Sequence, residues 1–350
     1  MNSVIDSPER LRSLGGGMLE ALERFPKSCR EAIEEAEKLP ITSFKGRGFK
    51  AVVIAGMGGS AIGGQLLSDW LRDACTIPIY VSRGYRLPAF IDAETLVFAV
   101  SYSGNTEETL TALGEVLRMR CPVITVTSDG EMQRNSEERG LPLLSLPRGM
   151  QPRAALPNQF FLLAAVMNRL GFASGSWKEV GEALDVLEAL RVGLAPETPA
   201  SENPAKRLAM GLRGLVPFVY GSRLFEAVAY RIGTQLNENG KVPAGSGCFP
   251  EAFHNAIMGR EGPWEVRSRI CTVLIRDPEG PPGIEHKVDA FKRLLEHKVG
   301  RVLEIRARGR GKLARMLSAL YIGDYAATYL GLLHGLDPST SDSIAALKAA

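Results

Sequence analysis

The first stretch of the chain has helical periodicity. Leu11, Leu14, Met18, Leu22 and Phe25 share one face of a helix, and Ser7-Pro8 supplies an N-cap and first helical position. A second helix is expected from Ser28, with Glu31 completing a capping box. From Lys50 the pattern changes. Apolar runs of strand length at 51–55 (AVVIA), 77–81 (IPIYV), 95–101 (TLVFAVS), 122–127 (PVITVT) and 141–146 (LPLLSL) alternate with helical segments. Runs that are continuously apolar, rather than alternating, suit strands covered on both faces, the setting of a parallel sheet between helix layers. Helix 154–170 closes this half, and a stretch rich in Pro, Ser and Glu at 195–205 marks the boundary.

The second half repeats the logic. Strands are expected at 215–220, 269–275 and 301–305, with helices at about 223–236, 251–258, 283–298 and 313–334, before a short amphipathic segment from Ser341 to Ala350. The predicted class is α/β: two αβα sandwich domains with doubly wound parallel sheets at 47–195 and 196–350, behind a helical segment at 1–46. A chain of 350 residues is long enough for two such cores.

Composition narrows the function classes. The excess of Lys and Arg over Asp and Glu is only +3, too small to imply a nucleic-acid partner. The basic stretch Arg301–Arg315 is expected to be a solvated strand end and loop, with a phosphate-binding patch as the lesser alternative. Five cysteines (Cys29, Cys75, Cys121, Cys248, Cys271) are scattered and odd in number, which speaks against a disulfide framework and a structural zinc site. The four histidines form no metal-ligand pattern, so no metal and no cofactor are expected. No run approaches the roughly 18 apolar residues of a membrane span, and the charged N-terminus has no signal region, so no membrane partner and a cytoplasmic location are expected.

Two glycine-bearing turns carry the chemistry. The first, Gly56-Met57-Gly58-Gly59-Ser60-Ala61-Ile62-Gly63-Gly64, follows the strand AVVIA and can bring a ligand against main-chain N–H groups at a helix start. Gly56, Gly58 and Ala61 also satisfy the dinucleotide fingerprint. Ser82 and Arg83 stand where that reading wants an acidic residue, which excludes an ordinary NAD site and only tolerates NADP. The second turn, Ser101-Tyr102-Ser103-Gly104-Asn105-Thr106, offers three hydroxyls at a strand-to-helix junction without a Lys or Arg. Helix capping by Asn105 and Thr106 explains one hydroxyl position. A phosphate monoester held by neutral hydrogen bonds and the helix dipole explains all three.

S-x-S-G-x-T after a Gly-rich turn resembles sugar-isomerase (SIS) domains. The fuller set, GMGGSAIGG, SYSGNTEE, Pro152-Arg153-Ala154-Ala155, Asn237-Glu238-Asn239 and Glu251-Ala252-Phe253-His254-Asn255, resembles the bifunctional phosphoglucose/phosphomannose isomerases from about residue 50 to the C-terminus. That resemblance implies aldose–ketose isomerisation of a six-carbon sugar 6-phosphate through a cis-enediol, without a cofactor. It implies that Glu238 is the base, Arg153 the charge stabiliser at the enediolate, and His254 and Lys348 the groups that assist ring opening. Gly58, Gly59, Ser60, Ser101, Ser103 and Thr106 would bind the substrate, and Thr340 or Ser341 would shape tolerance for either C2 epimer. It further implies a homodimer in which His254, beyond a Gly- and Pro-containing loop, reaches the partner's site.

Other readings fit less of the chain. A non-catalytic SIS protein that senses a sugar phosphate would keep the 101–106 loop but have no use for Glu238, Arg153 and His254 together. A glutamine-dependent amidotransferase lacks its N-terminal Cys nucleophile here. In the second half no S-x-S-x-x-T occurs, and Arg276-Asp277-Pro278-Glu279-Gly280 follows the strand at 269–275, where the acids are expected to repel a phosphate. One phosphate loop is therefore expected to serve the chain, with base and acid supplied by the second domain.

Overall fold

The computed structural model describes residues 4–349. The chain divides into two compact units: residues 24–178, and residues 179 onward together with the N-terminal stretch up to Glu23. The two N-terminal helices, α1 (Pro8–Glu23) and α2 (Phe25–Lys38), are thus shared out, one to each unit. The division falls at Lys178, ahead of the Pro-rich stretch expected to mark it. α2 begins at Phe25 with Pro26 in its first turn, rather than at Ser28, and no capping side chain holds its start.

The first unit alternates strand and helix. β1 (Ala51–Gly56), α3 (Gly59–Leu71), β2 (Ile79–Ser82) and β3 (Thr95–Ser101) come first. They are followed by α4 (Glu107–Arg118), β4 (Val123–Thr127), α5 (Gly130–Arg139), β5 (Leu143–Ser145) and α6 (Leu156–Arg169). All strand pairs are parallel, in the order β2-β1-β3-β4-β5. β1, β3 and β4 are buried along their whole length, which is why their sequences carry no polar alternation. One sheet face packs Val53, Val97, Ala99 and Val123 against Leu113, Val116 and Met132. Chain order reverses between β1 and β3, and in such sheets ligands bind beyond the carboxyl ends of the strands at that switch point. Both glycine-bearing turns leave the sheet there.

The second unit continues with α7 (Glu179–Leu194), α8 (Pro204–Leu212), β6 (Val216–Gly221), α9 (Glu226–Glu238) and β7 (Gly245–Cys248). After α10 (Trp264–Arg267) come β8 (Ile270–Arg276), α11 (Pro282–Leu295), β9 (Arg301–Arg306), α12 (Lys312–Leu333) and α13 (Asp342–Ala349). Its parallel sheet has the order β7-β6-β8-β9, the first pattern less one strand. β7, Gly-Ser-Gly-Cys, was not expected as a strand. Side chains at its glycines would collide with the rings of Phe218 and Tyr220 on β6. The expected helix 251–258 is instead two 3₁₀ turns, Glu251–Phe253 and Met258–Arg260. α12 is buried all round and is packed by α1, α7, α8 and α9. No described helix is long and apolar enough to cross a membrane. All five cysteines are unpaired thiols.

The start of α12 is capped from a distance. Glu182 on α7 accepts the N–H groups of Arg310 at 2.6 Å and Gly311 at 2.9 Å, and Glu179 accepts that of Leu313 at 2.9 Å. The Arg310 N–H, then that of Gly311, hold the Glu182 carboxyl below the usual range. A lowered folded value means that the stabilisation is present above the ordinary Glu pKa and is lost as pH falls through the folded one. Glu182→Ala should lower unfolding free energy at pH 7 by about 1 kcal/mol, as loss of a cap does. In denaturant titrations the gap from wild type should close in acid, and a gap independent of pH would contradict the capping role.

Candidate active site

The loop after β3 is shaped by a neighbouring turn. Gly104 has φ +68°, and a Cβ there would stand 1.7 Å from the Asp129 carbonyl oxygen, so glycine is required on both counts. The turn 128–130 and α5 hold the loop: Ser128 Oγ donates to the Tyr102 carbonyl at 2.6 Å and Met132 N–H to that of Gly104 at 2.9 Å. Asn105 does not cap α4. Its Oδ1 accepts Glu131 N–H at 2.9 Å, at the start of α5. Thr106, the N-cap of α4, makes no side-chain cap bond either. Its Oγ1 instead accepts the Ser101 hydroxyl at 2.9 Å. Capping therefore does not account for these side chains.

The three hydroxyls are not equivalent. Ser101 is fully buried and spends its proton on Thr106, which is half-buried and keeps its own proton to donate. Ser103 is exposed, its Oγ accepting Asn105 N–H at 3.3 Å. Ser60, from the first turn, is buried and ties the two turns together by accepting Tyr102 N–H at 3.1 Å. Gly58 is exposed with φ +50°. Gly59 presses against Pro152 and Arg153, with its would-be Cβ 3.3 Å from the Arg153 nitrogen.

That contact brings Arg153 to the same end of the sheet. Pro152–Ala155 form a 3₁₀ turn leading into α6, and Arg153 is only 3% exposed, with Nη1 3.4 Å from Gln151 Oε1. A guanidinium so far from water acts on developing negative charge more strongly than a surface cation would. Gly58, Gly59, Ser60, Ser101, Ser103, Thr106 and Arg153 are thus assembled within one unit.

Glu238, His254 and Lys348 belong to the other unit. Glu238 is the last residue of α9 and half-buried. A polar ladder leads to it along the α9–α12 contact. Arg231 and Asp324, both buried, pair through Nη2–Oδ2 at 2.8 Å and Nε–Oδ1 at 3.2 Å. Burial pushes the Asp324 carboxyl up, against the pull of Arg231. One turn on, Asn239 Nδ2 donates to Gln235 Oε1 at 3.0 Å and lies 3.5 Å from Thr328 Oγ1. Arg231, Gln235 and Glu238 share one helix face. The ladder was not anticipated, although a single Asp inside the apolar run of α12 signals a buried partner.

His254 follows the first 3₁₀ turn and is exposed. Its segment is pinned by Arg260, whose guanidinium lies 4.7 Å from the Phe218 ring centre and 3.2 Å from the Tyr220 hydroxyl. Lys348 lies on α13, and its side chain falls outside the described residues. Thr340 is exposed, and Ser341 is partly so.

The matching crevice of the second sheet is filled from within. Arg276, ending β8, binds Glu285 at 2.9 Å and Asp289 and Glu304 at 2.7 Å. Asp277 is buried and paired with Arg315. These acids occupy the two arginines, the cations at this strand end that could have held a phosphate. Arg315, at the end of the basic stretch, is correspondingly buried rather than solvated.

Two parallel α/β sheets, with a hydroxyl-lined turn at the switch point of the first, define a two-domain SIS fold. Residues 201–350 match the bacterial phospho-glucose isomerase C-terminal SIS domain family. The fold is also that of the C-terminal domain of glucosamine-fructose-6-phosphate aminotransferase from Francisella tularensis (TM-score 0.71, 15% identity, 92% of this chain and 98% of that one). A bifunctional phosphoglucose/phosphomannose isomerase of Caldicellulosiruptor bescii is 37% identical over 332 residues, 95% of this chain and 98% of its own. One from Aquifex aeolicus is 33% identical over 301 residues, 86% and 90% of the two chains. The chain belongs to the bifunctional phosphoglucose/phosphomannose isomerase family.

The inequality of the hydroxyls is testable. Thr106→Val should weaken inhibition by a phosphorylated sugar acid by the 1.5–3 kcal/mol typical of a hydrogen bond to a charged group, roughly tenfold or more. Ser101→Ala, one step behind, should cost less. Equal losses in measured inhibition constants would mean that Ser101 contacts the anion itself.

Proposed function

We propose that this chain interconverts glucose 6-phosphate, and also mannose 6-phosphate, with fructose 6-phosphate through a cis-enediol. The observation that carries the proposal is likeness over nearly the whole chain to a relative named for both activities. A sensor that only binds a sugar phosphate would have no use for a base, a buried arginine and a ring-opening acid.

Each residue then has a task. The turn at 101–106, with Ser60 and the glycines, holds the phosphate through neutral donors and the start of α4. Glu238 takes the proton from C2 of the aldose and returns it to C1, the work of a positioned carboxylate. Arg153 stabilises the negative charge that builds on the enediolate oxygens. His254 and Lys348 move the protons that open the sugar ring. The two aldoses differ only at C2 and share one enediol, so a single base serves both provided the wall near C2, at Thr340 or Ser341, admits either configuration.

We further propose that the working unit is a homodimer in which His254 acts in the partner's site. The exposed position of His254 fits this, as do Met258, Trp264 and Val266 on the same segment, which are 60%, 52% and 63% exposed in the single chain. Large apolar side chains on a segment so close to a functional residue suit cover by another chain. Unpaired thiols suit a reducing compartment, and we place the enzyme in the cytoplasm.

Glu238→Gln should reduce kcat by about 10²–10⁴ with little change in KM, since it removes proton transfer and leaves the phosphate loop intact. A variant keeping a third or more of wild-type kcat in a coupled assay would rule Glu238 out as the base. Complementation tests the dimer. When inactive Glu238→Gln and His254→Ala chains exchange subunits, about half of the dimers are mixed, each with one intact site, so roughly a quarter of wild-type activity should return. No recovery despite demonstrated exchange would put His254 in its own chain's site.

A further inference from the structure

Directly after Glu238 the chain reverses, and the reversal is stapled from the end of the same unit. On one side α9 closes on itself, Gly240 N–H returning to the Gln235 carbonyl and Val242 N–H to that of Leu236, both at 3.1 Å. On the other side the staples come from beyond α12. His334 Nδ1 lies 3.2 Å from the Gly240 carbonyl oxygen, and Lys241 Nζ donates to the Thr340 carbonyl at 2.6 Å. Space is short as well: a Cβ on Gly331 would stand 2.2 Å from the Asn239 carbonyl oxygen.

Lys241 is unusual in its backbone. Its φ is +56°, one of only two positive values at a non-glycine residue among those described. A side chain with a Cβ seldom adopts that region and stays there only when its surroundings hold it. Here the conformation sends the ammonium toward the stretch that leads into α13. A charged donor on a neutral carbonyl is also a stronger tie than a neutral pair.

We infer that Lys241 is a positioning residue which, through the Thr340 carbonyl, sets where Thr340 and Ser341 lie relative to Glu238, and thereby the tolerance for either configuration at C2. The specificity half of this inference rests on the isomerase reading; the staple itself does not. The two aldose phosphates differ at the carbon on which Glu238 acts. A wall that admits both must be held at a fixed distance from the base, because small displacements discriminate only modestly and would otherwise favour one epimer. The tie to the Thr340 carbonyl comes from Lys241 Nζ.

The test uses the full chain with Lys241→Met, Lys241→Arg and Lys241→Asn. Met keeps the unbranched stem and loses the charge, Arg keeps a long donor, and Asn suits the left-handed backbone but lacks the reach. In Lys241→Met, amide hydrogen exchange over residues 339–347 should quicken about tenfold, the loss expected for one charge-assisted bond. The ratio of kcat/KM for mannose 6-phosphate over glucose 6-phosphate should shift by roughly threefold or more. Lys241→Arg should restore both readouts, and Lys241→Asn should behave like Met. Unchanged exchange in Lys241→Met would overturn the staple, as would an Asn variant indistinguishable from wild type. Parallel loss toward both sugars, with the ratio held, would reduce Lys241 to a structural residue. Wild-type inactivity toward both sugars would sink the isomerase reading and the specificity half together, while the exchange arm still decides the staple.

Discussion

The second unit depends on one buried ion pair. Arg231 on α9 and Asp324 on α12 are both buried and pair across a helix contact that otherwise holds apolar side chains and the uncharged polar groups of Gln235, Asn239 and Thr328. Burying two charges is costly, and the attraction repays the cost only when geometry is close to ideal. Both Arg231–Asp324 contacts lie within hydrogen-bond range, and the Thr328 hydroxyl continues the ladder by bonding the Asp324 carbonyl at 2.9 Å. Such a pair is a poor source of stability but a strict source of register. Sliding α9 along α12 by one turn would strand both charges, at a cost of about 3–5 kcal/mol. Glu238, two turns beyond Arg231 on the same face, inherits that register.

The two sheets share a strand order, yet their switch points are built to opposite ends. In the first, glycines and hydroxyls build the turn, Thr106 keeps a proton to donate, and α5 buttresses the loop from behind. In the second, the protein supplies its own anions. For Glu304, burial works to raise the carboxyl pKa but is outweighed by Arg276 and Lys292, which leave it below the usual range. Three carboxylates on Arg276 and one on Arg315 leave little positive charge for a ligand. Duplication of the fold without duplication of the cradle is therefore a matter of charge satisfaction at a few strand-end residues.

Much of the fold was legible because its strands are buried on both faces. AVVIA and TLVFAVS have no reason to alternate, and their edges in the structure fall within a residue of the apolar runs. Where tertiary contacts overrode local signals, the sequence misled. β7 has no strand-forming residue, and its glycines exist to make room for Phe218 and Tyr220. The 251–260 segment has helical composition, yet it forms two short turns, the second held by Arg260 against Phe218 and Tyr220. In the candidate site, the sequence singled out the residues but not the contacts they make with one another. Ser101 looked like a ligand and lies behind Thr106. Asn105 looked like a cap for its own helix and serves the next one. Such relations run between residues distant in sequence, and no local pattern encodes them.

The central claim is that one base interconverts both epimeric aldose phosphates with the ketose through a shared enediol. The most direct measurement is NMR of fructose 6-phosphate incubated with the protein in D₂O. Glucose 6-phosphate and mannose 6-phosphate are both expected to form, each carrying deuterium at C2 from exchange on the base. Glu238→Gln should form neither. Formation of neither aldose by the wild-type protein, or of both without any solvent deuterium and undiminished in Glu238→Gln, would contradict it.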